Sequence, residues 1–447
     1  MNNLKPFPLS KQILYALGMM GWSILFNLIN VMLVYFYLPP INSGLHVLIS
    51  QHTFLGIFTL MAVIAAGGRL TDAFYDPFIG KMSDSSKSKR GRRIPFMMYS
   101  IIPAIVCCVL IFFPPTRDVS RVNAIWLACF LTLFFMATTT YIIPYYSLLP
   151  ELAATDQGKI RLSTFQQVGF VCGMIIASQV YPIADLFLGI LHTSDRTTSL
   201  QYSVISLGIL SGIAMLIPVL AINEKKYCRS VPSSTPLLKS LKQSLSSRNF
   251  IYFIIAVFSY TMALNLIVNG MLYFVTVLCH INASQSSRFM VFMVLMSLLF
   301  FPFINILAKR IGAKRVLVFS FIVLGASFSG IALLGKLPVT PVLQLYILLG
   351  VAAFPVASLG ILPNALLARI ASDNSTSTGD HREGTYFAVN FFSTKLGQTF
   401  GLSLFAILTI YGKDPGHDFG LRLSGIFGCA LCILAALVFT GFKDAGK

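Results

Sequence analysis

The segment Arg69-Leu70-Thr71-Asp72-Ala73-Phe74-Tyr75-Asp76-Pro77 places three ionisable groups inside an apolar run. Asp72 and Asp76 stand i,i+4, so on a helix their carboxylates project from one face, with Arg69 one turn before Asp72. A charge at the centre of a membrane helix costs about 2.5–3.5 kcal/mol on insertion scales, so these groups need a compensating role. Two carboxylates at one site repel unless a cation or a proton sits between them, and hard oxygen ligands suit a small cation. The spacing therefore points to a cation-coupling site at Asp72 and Asp76. The alternative is structural: an Arg69–Asp72 pair, with Asp76 capping the turn that follows.

Lys395 is the second candidate. Its segment reads Tyr386-Phe387-Ala388-Val389-Asn390-Phe391-Phe392-Ser393-Thr394-Lys395-Leu396-Gly397-Gln398. A lysine that snorkels lies near a helix end, and this one falls near the middle of its span. It is expected to face an aqueous cavity, opposite a carboxylate or an anionic or hydroxylated substrate. The alternative is a counter-charge to the aspartates of the second span. The loop from Gly80 through Asp84 to Lys89-Arg90-Gly91-Arg92-Arg93-Ile94-Pro95-Phe96 is dense in charge. Gly91 permits a tight turn, Pro95 can open the next helix, and Asp84 can pair with the arginines. The loop reads both as a solvated topological anchor and as a cytoplasmic latch of Asp84, Arg90, Arg92 and Arg93. No GxxxxGK[ST] motif occurs, which argues against ATP-driven pumping within the chain.

The elements that position these residues follow from composition. Apolar residues make up 56% of the 447 positions and charged residues only 11%, well below the roughly 25% typical of soluble domains. Mean hydropathy is +0.79. Lipid is therefore the solvent for most of the chain, and the reading is a transporter rather than an enzyme. The net charge of +18 sits in short loops, where it sets topology, and no nucleic-acid partner is expected. The eight cysteines show no CxxC or Cys/His metal spacing and read as small buried hydrophobes. The first apolar run is too long for a signal-peptide core and reads as a retained span.

Spans of the length a bilayer requires are expected near 13–38, 52–82, 95–113, 123–149, 160–190, 202–222, 250–278, 286–307, 316–334, 341–367, 383–411 and 419–442. With the N-terminus inside, 24 of the 33 Lys and Arg fall in cytoplasmic segments, seven fall outside, and Arg69 and Lys395 lie within spans. That bias predicts both termini in the cytoplasm, with Ser234 inside and Asn282 outside. The expected domains are an N-terminal six-helix bundle (1–222), a cytoplasmic linker (223–249) and a C-terminal six-helix bundle (250–447). A weak repeat supports duplication: Ile143-Pro144-Tyr145 through Leu149 with Asp156 following, against Leu362-Pro363-Asn364 through Leu367 with Asp373 following.

At these residues the chain resembles the major facilitator superfamily and, within it, the glycoside–pentoside–hexuronide:cation symporters, the family that includes melibiose permease. The matching pieces are Arg69, Asp72-Ala73, Asp76-Pro77 and Gly80, then Ser83-Asp84 and Arg90-Gly91-Arg92-Arg93 with Pro95-Phe96. Next come Ile143-Pro144-Tyr145, Pro150-Glu151-Leu152, Asp156 and Arg161-Leu162, and last Arg382-Glu383-Gly384-Thr385 with Lys395. The resemblance implies an all-α membrane protein of twelve helices in two pseudo-symmetric six-helix bundles. It implies that Asp72 and Asp76 hold the coupling cation, Na+ or H+, with Thr139 beside them. Tyr75 stands where the family carries asparagine, which puts sodium in doubt and makes a proton plausible. Lys395 matches the family lysine. The family's sugar-binding acids on spans one and four are replaced by Ser23 and Ile142, and its span-five arginine by Gln166 or a neighbour.

The resulting expectation is a symporter in the cell inner membrane, monomeric, with no cofactor beyond the coupling ion. Its substrate is a sugar, glycoside or sugar acid, held by Lys395, Ser23, Trp22, Tyr141, Gln166 and Asn390. The alternatives are an amphipathic solute such as a lysophospholipid, and a non-transporting membrane scaffold or sensor.

Overall fold

The computed structural model describes residues 7–39, 45–50, 53–54, 58–88, 90–153, 155–191, 195–228, 237–281, 286–378, 382–409, 411–412 and 416–443. Among these, twelve helices of 18 residues or more follow one another: α1 Leu9–Tyr37, α2 Leu60–Ser85, α3 Ile94–Ile111, α4 Arg121–Ser147, α5 Asp156–Ser178, α6 Arg196–Ala221, α7 Arg248–Tyr273, α8 Ser286–Ile311, α9 Ala313–Ala332, α10 Pro341–Thr378, α11 Glu383–Thr409 and α12 Phe419–Thr440. Each coincides with one expected span. The centre of the linker, 229–236 with Ser234, and Asn282 after α7 lie outside the described residues.

Some boundaries differ from the hydropathy reading. The second span begins at Leu60 rather than near 52, because Thr53–Phe54 pairs antiparallel with Phe58–Thr59 ahead of it. The fifth is broken after Ser178 and resumes as a separate helix, Val180–Leu191. Helix α10 continues past residue 367 into a polar end at Thr378.

Ten of the described helices are long and apolar enough to cross a membrane, and α2 and α11 are not among them. Both fall short through polarity rather than length. α2 carries Arg69, Asp72 and Asp76, and α11 carries Asn390, Lys395 and Gln398. A span with such groups is stable only where its polar atoms meet partners or water.

The chain packs as two compact units. The first comprises Met1–Ala154, Phe165–Leu237 and Asn374–Ala388. Within it α1 packs against α6, and α4 against both α2 and α3. The second comprises Thr155–Thr164, Leu238–Asp373 and Val389–Lys447, and in it α12 packs against α7 and α9.

Each unit contains the same close helix crossing. In the first, Gly169 and Gly173 of α5 meet α1, where an added Cβ would lie 2.3 Å from the Ala16 carbonyl oxygen and 2.4 Å from that of Met20. In the second, Gly397 and Gly401 of α11 meet α7, at 2.8 Å from the Phe258 oxygen and 2.4 Å from that of Met262. Small residues four apart let backbones approach where lipid supplies no hydrophobic drive. Spans five on one and eleven on seven are equivalent pairs in a duplicated chain.

Candidate functional site

Helix α2 presents Asp72 and Asp76 to the protein interior, at 6% and 0% exposure. The Asp72 carboxylate is held from α4: Thr139 Oγ1 donates to Asp72 Oδ1 at 2.5 Å. The next residue, Thr140, lies 3.3 Å from the Tyr75 hydroxyl. Adjacent threonines thus serve adjacent faces of α2, one the carboxylate and the other the phenol. Arg69 Nη2 donates to Asn30 Oδ1 on α1 at 3.3 Å.

Two buried carboxylates one helical turn apart, one of them bonded to a hydroxyl, are hard oxygen donors of the kind that suits a monovalent cation or a bound proton. Among the described residues no group of three or more His, Cys, Asp or Glu is placed so that it could hold a metal ion. A cage for a transition metal would need such a group.

The residues expected on the substrate side of the first unit are mostly committed to helix packing. Ser23 is fully buried, donates to the Phe170 carbonyl at 2.6 Å, and accepts from Asn27 Nδ2. Tyr141 donates to the Met215 carbonyl at 3.0 Å. Gln166 Nε2 donates to Tyr15 Oη at 2.8 Å. Tyr15 and Tyr145 form a reciprocal clasp, each hydroxyl donating to the other's backbone oxygen at 2.7 Å, with rings stacked 4.2 Å apart. Trp22 stacks on Phe26 at 4.9 Å, and its Nε1 has no hydrogen-bond partner among the described residues.

In the second unit Lys395 is half-buried on α11. Ser393 and Gly397 face α7, since Ser393 donates to the Ile254 carbonyl and Gly397 abuts Phe258 and Thr261. Lys395, two residues from each, therefore projects away from that contact. Asn390 is buried, and its Oδ1 has no hydrogen-bond partner among the described residues.

The charged loop builds a second, fully buried constellation within the first unit. Arg92 Nη2 donates to Glu151 Oε1 at 2.7 Å and to Glu383 Oε2 at 2.9 Å. Arg93 reaches the same two carboxylates at 2.8 and 2.9 Å, and its Nη1 lies 3.3 Å from Asp84 Oδ1. Asp84 in turn accepts from the backbone N–H groups of Gly384 and Thr385 at 2.8 and 2.9 Å, capping α11. Arg90 stands apart: it is exposed, and its guanidinium lies against Met98 Sδ.

Glu224 has a role that its place in a basic linker conceals. It opens a short helix, Glu224–Tyr227, and is 1% exposed. Its carboxylate accepts from the backbone N–H groups of Arg92 at 2.8 Å, Arg93 at 3.0 Å and Ile94 at 3.2 Å. It thereby caps α3, where the helix dipole favours a negative charge. Gly91 adopts φ +112°, and a Cβ there would lie 2.2 Å from Glu224 Oε2. Glu151 and Glu383 also escaped a residue-by-residue reading. With only 15 Asp and Glu in the chain, any acid beside a span end was the available signal.

Four carboxylates thus face two guanidiniums and two helix N-termini. Burial and then the Glu151 charge push Glu224 up from 4.5. For Arg93 burial acts downward, but Glu151, Asp84 and Glu383 outweigh it and keep the guanidinium charged.

A family model described as MFS/sugar transport protein matches residues 14–442. The chain belongs to that family. It is 26% identical over 325 residues to the isoprimeverose transporter of Lactiplantibacillus pentosus, a match covering 70% of this chain but 61% of the transporter's length. It is 25% identical over 381 residues to the sodium-dependent lysophosphatidylcholine symporter 1 of Xenopus tropicalis, covering 77% of this chain and 71% of that protein. Among solved structures, a bacterial homologue of the iron transporter ferroportin in its outward-facing state aligns with TM-score 0.71 at 12% identity, covering 97% of this chain and 98% of the other. The major facilitator superfamily proton:xylose symporter XylE aligns with TM-score 0.68 at 14% identity, covering 97% of this chain and 95% of that one, and this likeness shows the major facilitator fold. The family and these relatives are transporters.

Proposed function

We propose that the chain is a cation-coupled symporter working by alternating access, with a sugar, glycoside or sugar acid as substrate. The observation that carries this reading is the buried Asp72 carboxylate, held by Thr139 from the neighbouring helix and followed one turn later by buried Asp76. A scaffold has no use for two carboxylates inside a span. A cation or proton bound there neutralises charge that otherwise strains the site. Binding of the ion then favours the state that takes up substrate and couples the two gradients. The Arg92–Arg93–Glu151–Glu383 cluster acts as the latch on the cytoplasmic side. The charge bias of the loops supports both termini in the cytoplasm of a cell whose inner membrane holds the protein as a monomer.

A lysophospholipid is the second reading. It is favoured by the similarity to the lysophosphatidylcholine symporter and by Ser23 standing where an acidic sugar ligand is expected.

The test is uptake by proteoliposomes of a panel of glycosides, sugar acids and lysophosphatidylcholine, under a sodium gradient, a proton gradient or neither. Accumulation of one class under one gradient is expected. Counterflow without any gradient-driven accumulation would leave a carrier but remove the coupling. Failure of both would leave the scaffold reading.

A further inference from the structure

The loop after α2 sends its cations in two directions. Arg92 and Arg93 turn inward to carboxylates. Lys87 and Arg90 are exposed, and neither forms an ion pair among the described residues. Arg90 is nonetheless fixed in place. Its N–H donates to Ser88 Oγ at 3.3 Å, and its Nη1 lies 3.5 Å from Met98 Sδ on α3.

Beside these cations a cavity of 520 Å³ opens between α2, α3 and α4. Its loop end carries the hydroxyls of Ser86 and Ser88, and its wall along α3 and α4 is built from Phe96, Pro103, Met136 and Ala137. From Pro95 to Pro103 it follows α3 for about 12 Å, at 1.5 Å of rise per residue. Tyr99, on its lining, is 72% exposed. Fixed positive charge, then hydroxyls, then apolar wall is the order of groups met on passing from the headgroup region into a bilayer. Basic pockets between spanning helices suit anionic lipid headgroups, which cancel the charge as a zwitterionic headgroup cannot.

We propose that this cavity takes an acyl chain of an anionic phospholipid from the leaflet that faces the loop, with the lipid phosphate held by Lys87 and Arg90. The chain end reaches Tyr75 and Thr140, which also line the cavity. Thr140 follows Thr139, the residue that holds Asp72. The bound lipid thus braces the α2–α4 contact that positions the candidate coupling site. The inference requires only that the chain sits in a bilayer, and it stands independently of substrate and coupling ion.

The experiment measures lipid retention by native mass spectrometry. The full-length protein is released from nanodiscs of equal parts phosphatidylglycerol and phosphatidylcholine. The wild type is expected to retain phosphatidylglycerol preferentially. The Lys87→Gln/Arg90→Gln variant should lose that preference by roughly fivefold or more per cation removed, the size set by the attraction of one basic residue to an anionic surface. Ala137→Phe, which fills the cavity and keeps both cations, should lower retention of phosphatidylglycerol. If Ala137→Phe fails to fold, the double variant at two exposed positions still decides. Equal retention of the two lipids by the wild type, or an unaltered preference in the double variant, overturns the proposal.

Discussion

Thr385 donates twice to Asp84 Oδ2, from its backbone N–H at 2.9 Å and from its hydroxyl at 3.1 Å, across a sequence separation of 301 residues. A span-two carboxylate thus caps the helix that carries Lys395. Asp84→Asn keeps the shape and removes the charge that faces Arg93 and the α11 N-terminus. Cys228, buried beside Glu151 and Glu224, is a native reporter of the cluster. Its labelling by a water-soluble maleimide should quicken at least tenfold in Asp84→Asn, since removing one partner of a buried pair costs about 3–5 kcal/mol. Cys228→Ser supplies the background rate. An unchanged rate would show that the capping charge does not hold the cluster shut.

The same cluster should respond to pH. Glu224 holds its proton to higher pH than an ordinary carboxyl because of burial and then the Glu151 charge. The closed cluster therefore binds more protons than an opened one over the interval just above 4.5. That stabilisation is present at low pH and is lost as pH rises through the raised value. Cys228 labelling, divided at each pH by the rate of the same thiol in the unfolded protein to remove the change in thiolate, should accordingly slow on mild acidification, and Glu224→Gln should flatten the dependence. Faster labelling on acidification would mean that the arginine pairs outweigh burial.

Glu224 makes a separate, structural prediction. Glu224→Ala leaves three backbone N–H groups at the start of α3 without their acceptor. The loss should be about 0.5–2 kcal/mol, the range for an N-cap residue replaced by alanine. It is read as a lower melting temperature of the purified protein, and Glu224→Gln should recover part of it. Equal melting of wild type and Glu224→Ala would mean that water replaces the carboxylate at no cost.

Much of the fold was legible in the sequence, because hydropathy marks a span by length alone and lipid leaves little choice of structure. All twelve helices fall where apolar runs do. The two that fail a composition criterion, α2 and α11, were nonetheless locatable, because their polar residues interrupt apolar runs of the right length. The Asp72–Asp76 spacing was legible because it is local to one helix. The partners of Arg92 and Arg93 were not, since Glu151 and Glu383 lie far away in sequence and only packing brings them to one point. The linker hid Glu224 for a different reason: a carboxylate among lysines reads as solvated until the α3 N-terminus is seen above it. The outward turn of Arg90, against the inward turn of its neighbours, depends on the positive φ at Gly91, which sequence allows but does not dictate.

The coupling site is tested through the hydroxyl as well as the carboxylates. Asp72→Asn or Asp76→Asn should abolish gradient-driven accumulation while the protein stays inserted. Thr139→Val removes one hydrogen bond to Asp72 and leaves the charge. Its cation affinity should fall by about 1.5–3 kcal/mol, the scale of a hydrogen bond to a charged group. Accumulation that survives in both aspartate variants would favour a structural role for the pair. In Tyr75→Asn the phenol that meets Thr140 is lost, and the asparagine of the resembled family returns. The wild type should respond to collapse of the proton gradient, and Tyr75→Asn should gain a response to sodium.

The last prediction concerns the substrate's charge. A site that recognises neutral sugars loses most of its discrimination when its hydroxyl-accepting carboxylates are absent. Residues 18–27 of α1 contain no acidic residue. The Ser23 and Tyr141 hydroxyls already donate to the Phe170 and Met215 carbonyls. Lys395 is half-buried on a face of α11 turned away from α7, and it is the cation that the sequence sets near the middle of its span. An anionic solute such as a hexuronide, a sugar acid or a lysophospholipid should therefore bind better than a matched neutral disaccharide. Lys395→Ala should weaken the anionic solute by about 1.5–3 kcal/mol, the range for a hydrogen bond to a charged group, and leave the neutral analogue nearly unchanged. Competition for uptake between the matched pair, in wild type and in Lys395→Ala, measures both effects at once. A preference for the neutral analogue that survives the substitution would remove Lys395 from the substrate site and return it to a structural role.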